Sequence, residues 1–193
     1  MAFPTSPSDG DIYTNAVGVT FEYDDGDDKW VIVAGEYVGD IYHSGYIHLY
    51  DSKASGGQSG TFTSGAWRTR VLTTEVTDIP EACSLSSNQF TLAAGTYIIF
   101  ASAPAHRCNW HKAKLYNITD AADEIIGSSE YTNAGSDYAG TRSFVVGVFT
   151  IADTKVFELQ HRNHTTKADI GFGLDSTFGV DERYADVQLW KVA

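Results

Sequence analysis

Four histidines and one cysteine fall in two short stretches, His106-Arg-Cys-Asn-Trp-His111 and His161-Arg-Asn-His164. Imidazole and thiolate are donors that suit zinc. Zinc sites of this kind are anchored by a closely spaced pair such as Cys-x-x-Cys or His-x₃-His, and the chain has neither. The histidines are instead expected on a polar rim where strands meet loops, or in contacts between copies of the chain. Their unperturbed pKa of about 6.5 would make such a contact pH-sensitive. A second candidate is Asp24-Asp25-Gly26-Asp27-Asp28, whose carboxylates offer hard oxygen donors for Ca²⁺. It lacks the spaced ligands and distal Glu of an EF-hand loop. A solvated hairpin tip, with charges that discourage edge-to-edge pairing, accounts for it more simply. No metal and no cofactor are expected.

Nucleophilic catalysis has no more support. The chain holds no Gly-x-Ser-x-Gly elbow, no phosphate-cradling glycine loop and no His-Glu-x-x-His. No catalytic residue is assigned and no enzyme is expected. Two free thiols, Cys83 and Cys108, are the default for a single cysteine pair in a chain this long.

The elements that would position these residues read as strands. The 193 residues include 25 aromatics and 18 glycines but only four prolines and one methionine. Aromatic and β-branched side chains suit a pleated, half-buried surface, and glycines suit turns between short strands. Val19, Phe21 and Tyr23 alternate with Thr20 and Glu22, a turn follows at 24–28, and Lys29-Trp-Val-Ile-Val33 makes the second arm of a hairpin. Residues 36–66 mix aromatics with the flexible tract Ser55-Gly-Gly-Gln-Ser-Gly60 and read as a connection and an entry to the main domain. Beyond it, strands are expected around 67–71, 90–92, 96–102, 108–116, 143–151, 157–160 and 184–192. The continuous apolar run at 143–151 predicts burial on both faces. No helical period competes. Short strands at this spacing mean a sandwich or barrel.

Charge is unevenly placed. Of the net −12, −8 lies in residues 1–50, which hold nine acidic side chains and only Lys29. That excludes an electrostatic footprint for nucleic acid. No apolar run approaches the ~18 residues of a membrane helix, so no membrane insertion is expected. The opening Met-Ala-Phe-Pro-Thr-Ser-Pro lacks the pattern of a signal peptide. About 30 residues cannot bury Phe21, Tyr23, Trp30 and Ile32 among themselves, so the hairpin is expected to lean on something else.

Two stretches carry a family resemblance. Phe3-Pro-Thr-Ser-Pro-Ser-Asp-Gly-Asp-Ile-Tyr-Thr-Asn15, with Val19–Tyr23 and Lys29-Trp30, resembles a short N-terminal module of phage virion proteins. Asp51–Ser55, Gly60–Arg70, Leu85–Tyr97, Leu115–Asn117 and Val187–Lys191 together resemble the C-terminal domain of phage tail-fibre and capsid-fibre proteins. The strand pattern of that domain is similar to the C1q/tumour-necrosis-factor jelly roll, in which three copies pack around an axis. The resemblance implies an all-β, jelly-roll (C1q/TNF-like) β-sandwich with a small N-terminal β-hairpin. The implied division is a docking module at 1–40, a connection at 41–60 and a trimerisation domain at 61–193. It also implies a homotrimer on the virion surface, made in the host bacterial cytoplasm. Such a trimer would dock on the major capsid protein or another virion protein through Phe3, Phe21, Tyr23, Asp24, Asp25, Asp27, Asp28 and Trp30. The function implied is a non-enzymatic capsid decoration or head fibre. The alternative is a tail-fibre tip binding a host surface glycan or protein. Contacts to receptor or sister chain would then come from His106, Trp110, His111, Tyr131, Tyr138, His161, His164 and Phe178.

Overall fold

Period-two alternation governs nearly every element of the chain. The computed structural model describes residues 4–15, 18–34, 45–135 and 139–192. They divide into two units, Met1–His43 and Ser44–Ala193.

The first unit is a three-stranded antiparallel sheet, β1 (Ile12–Thr14), β2 (Thr20–Asp24) and β3 (Lys29–Ala34), in that order. The expected hairpin is β2–β3, and β1 adds a third strand that was not expected. Tyr13 stands opposite Phe21, and Tyr23 opposite Trp30. Tyr13 and Tyr23 both pack on the Trp30 ring, with centroids 6.1 and 5.4 Å away. The tip is closed by Asp24, whose Oδ1 accepts from the backbone N–H of Gly26 and of Asp27. Asp side chains favour turns because they can make this local bond.

In the second unit, one sheet has the order β12 (Gly140–Ile151), β9 (Gly95–His106), β14 (Glu182–Lys191), β4 (Gly45–Lys53), β6 (Thr74–Thr77). The other runs β11 (Ala122–Thr132), β10 (Asn109–Asn117), β13 (Lys155–Asn163), β8 (Gln89–Leu92), β7 (Cys83–Ser86), with the short β5 (Arg68–Thr69) also paired to β13. All pairings are antiparallel. From β8 onward the chain passes repeatedly from one sheet to the other, and β14 returns between β9 and β4. This double-sheet winding is a jelly roll.

The core lies between the sheets. Ile47, Leu49, Tyr97, Ile99, Val145, Val187 and Leu189 meet Phe90, Leu92, Leu115, Phe157 and Leu159 in one buried cluster. Each such side chain contributes roughly 1.5–3 kcal/mol by leaving water. A smaller cluster of Phe62, Ala105 and Cys108, with Phe172 against it, closes one end. Gly127 sits where β11 crosses close to its neighbours: a Cβ there would stand 2.6 Å from the Phe144 carbonyl and 2.7 Å from that of Ala113.

Several expectations are corrected. The segment 41–60 is not simply a connection, because β4 is an inner strand flanked by β14 and β6. Its alternation, with Ile47 and Leu49 inward and Tyr46, His48 and Tyr50 outward, is masked in the sequence by the aromatic rings on the outward face. The 67–71 strand shrinks to two residues. Strand β11 occupies 122–132, a polar stretch that promised none; it is the outer strand of its sheet, and Ile125 is its side chain packed against the core cluster. Strand β12 is buried on one face within the protomer, not two.

Candidate functional site

On the sheet that contains β12, inward residues alternate with outward ones in register across the strands. Val148, Ile98, Trp190 and Tyr46 form one outward row. Val146, Phe100, Gln188, His48 and Val76 form the next. Phe144, Ser102, Asp186, Tyr50 and Thr74 form the third. Antiparallel sheets with one solvated face ordinarily alternate apolar-in and polar-out. Here Val148 is 63% exposed, Val146 59% and Phe100 41%, so three apolar side chains stand in water beside one another. The rings are ordered: Phe100 and Phe144 lie 5.7 Å apart, Tyr46 and Trp190 5.5 Å. Polar groups enter the face at Gln188, His48, Ser102, Asp186 and Thr74. His48 Nε2 lies 2.8 Å from Asp186 Oδ2, and Arg142 donates to Ser102 Oγ and the Tyr184 carbonyl. A contiguous apolar patch of this kind marks an interaction surface.

The structure scatters the residues singled out from sequence. Phe21, Tyr23 and Trp30 share the first unit's sheet, with Asp24, Asp25, Asp27 and Asp28 at its tip. Asp9, Asp24 and Asp25 bring carboxylate oxygens within 4.8 Å of one another, a grouping exposed acids adopt without any ion. Phe3 and Tyr138 lie outside the described residues. Phe178 is exposed in the loop before β14. Trp110 and Tyr131 are cross-strand neighbours on β10 and β11, and the His164 ring stands edge-on to Trp110 at 4.7 Å.

His106, His111 and His161, expected on a rim, are buried inside the protomer. For His111 and His161 the reason is strand parity. His111 shares the inward face of β10 with Ala113 and Leu115, and His161 that of β13 with Phe157 and Leu159. They form a chain with the fully buried Arg70. Arg70 donates to the Pro104 and Phe172 carbonyls and to His161 Nδ1 at 3.2 Å. An arginine only donates, so His161 carries its proton on Nε2 and passes it toward His111 Nδ1, 2.9 Å away. His111 Nε2–H then donates to Thr141 Oγ1 at 2.8 Å. Burial, then the Arg70 charge, pulls His111 down to about 4 and His161 well below its usual range. Both imidazoles are therefore neutral at pH 7. Burial also pulls Arg70 down to about 9, with Asp51 opposing the shift, and it stays protonated. This chain is a structural brace that fixes two tautomers. Cys83 and Cys108 are free and buried, and burial pushes each thiol up to about 12.

The interaction face itself was legible only in part. The apolar run at 143–151 pointed to it, while Ile98, Phe100 and Trp190 sit in strands where alternate apolar residues look like core. His48 lies on this face, and nothing in its spacing marks it.

No family model matches the chain, and no curated protein does. Among solved structures, murine APRIL at pH 5.0 aligns over 77% of this chain and 98% of its own, with 8% identity and a TM-score of 0.48. Murine APRIL at pH 8.5 aligns over the same shares with 10% identity and a TM-score of 0.45. The globular domain of zebrafish complement 1qA aligns over 78% and 97%, with 13% identity and a TM-score of 0.45. The assignment to the jelly-roll architecture rests on the strand order itself.

Proposed function

We propose that this chain is a non-enzymatic assembly protein whose β12–β9–β14–β4–β6 face joins three copies. In this reading the first unit docks the trimer onto a virion surface as a capsid decoration or short head fibre. One observation carries the assembly: the ordered apolar face centred on Phe100 and Val146, left in water by the single chain. Burying such a face in a closed ring of copies removes the liability. The number three comes from the resemblance of residues 51–70, 85–97 and 187–191 to trimeric phage fibre domains, and the virion setting from that of residues 3–30.

Sedimentation or light scattering tests the assembly. The expected particle has three times the 21.0 kDa chain mass at low micromolar concentration, unchanged over a tenfold dilution. A monomer throughout that range would overturn the reading.

A further inference from the structure

The opposite sheet carries a second surface that trimer formation through the apolar face does not use. A groove of about 640 Å³ opens on the outward side of β10 and β13, lined among others by Trp67, Trp110, Lys112, Glu130, Arg162 and His164. Its volume is that of a small-ligand site. Lys112 and Arg162 stand directly opposite one another in the β10–β13 register. Like charges in that position destabilise a sheet. Neither makes an ion pair among the described residues, although the next outward lysine on β10, Lys114, is bridged to Asp123. In a chain of net charge −12, two adjacent cations that no carboxylate bridges among the described residues form a site complementary to an anion.

Aromatic rings frame those cations. Trp110 is 61% exposed, yet its indole is held between the His164 ring at 4.7 Å and the Tyr131 ring at 5.9 Å. The Trp67 ring is fixed by Lys114 Nζ, 4.3 Å from its centroid. Ordered indole faces present flat apolar surface at little entropic cost.

We propose that this groove binds an acidic saccharide, a sugar ring bearing a carboxylate. The ring's C–H face stacks on Trp110, and the carboxylate takes the Arg162 fork and the Lys112 charge. A peptide fits less well. β10 and β13 each have a hydrogen-bonded neighbour on both sides, so no free edge is available for strand addition. The groove belongs to one protomer, so this proposal stands apart from the assembly reading.

The test uses the full chain, titrated with tri-galacturonate, its methyl ester and hexa-glutamate. Tryptophan fluorescence and calorimetry follow binding, and oligomeric mass is recorded in parallel. Tri-galacturonate is expected to bind, with the ester at least about tenfold weaker, since it removes the charged partner of Arg162. The variants Arg162→Gln and Trp110→Ala, both at exposed positions, are expected to lose about tenfold or more while keeping their circular dichroism and oligomeric mass. Absence of binding by tri-galacturonate overturns the proposal. So does equal affinity for its ester, affinity that survives Trp110→Ala, or equal affinity for hexa-glutamate. A particle mass other than three chains, with the expected pattern of binding intact, would count against the assembly reading alone.

Discussion

Arg70, His161 and His111 show how a residue's role follows from the face it is dealt. Arg70 lies one position past the two-residue β5, and its backbone N–H still bonds to the Leu159 carbonyl. That places its side chain inside, where only a charged group with every donor engaged is tolerable. Its guanidinium also lies over the Phe172 ring, 4.3 Å from the centroid. His161 accepts one of its hydrogen bonds, and both histidines must stay neutral beside it. This makes the fold acid-sensitive in a defined window. His111 has a folded pKa of about 4 against about 6.5 unfolded. The unfolded chain therefore binds more protons below pH 6.5, and stability present in full above that value is lost as pH falls toward 4. His161 acts in the same direction. Glu182 is different. Backbone N–H groups of Ser176, Thr177 and Gly56 and the Ser176 hydroxyl hold it at about 2, so its contribution is lost only as pH falls from about 4.5 through 2. Between pH 6.5 and 4.5 the histidines dominate. Replacing His111 with Gln should flatten the fall in unfolding free energy there by about 1.4 kcal/mol per pH unit. Denaturant titrations at half-unit pH steps check this, and an unchanged slope would refute the neutral-imidazole assignment.

Strands β9 and β12 pose the question of the element. Both alternate cleanly, yet both alternate apolar with apolar. Their inward residues Tyr97, Ile99, Val145 and Phe149 fill the core, and their outward residues Ile98, Phe100, Val146 and Val148 do not. Sequence could locate the strands, because the period survives; it could not say that the second face waits for a partner. A lysine at Val146 separates the two roles, since that side chain is 59% exposed in the protomer and its substitution leaves the core untouched. Val146→Lys should leave the circular dichroism unchanged and shift the particle toward monomer, with dissociation about a hundredfold easier or more, as expected for a buried charge without a partner. A Val146→Lys chain that still sedimented as a trimer would move the assembly surface elsewhere.

At the scale of the whole molecule, the chain is two units of unlike character. The first 50 residues hold two thirds of the net charge, and the second unit holds the large core. The proposed division of labour, docking in the first and assembly in the second, predicts what truncation does. Deleting residues 1–40 should leave a folded trimer that no longer binds particles lacking the native protein. Binding of the full chain should weaken with salt if Asp24 to Asp28 meet a basic surface. Aggregation of the truncated chain, or its failure to assemble, would instead make the first unit part of the assembly domain.

The sequence by itself determined the all-β class, the N-terminal hairpin and most strands of the second unit, because period-two alternation is a local property that neighbours along the chain can express. The resemblance in Gly60–Arg70, Leu85–Tyr97 and Val187–Lys191 added the jelly roll, which the observed strand order bears out. What the tertiary structure decided was the facing of each strand. His111 and His161 went inward, His48 outward, and β4 became an inner strand rather than a connection. The pairing of Lys112 with Arg162 is likewise invisible in sequence, since the two lie 50 positions apart and meet only through the β10–β13 register. A strand's period states which residues share a face; only its neighbours settle whether that face meets the core, the solvent or another molecule.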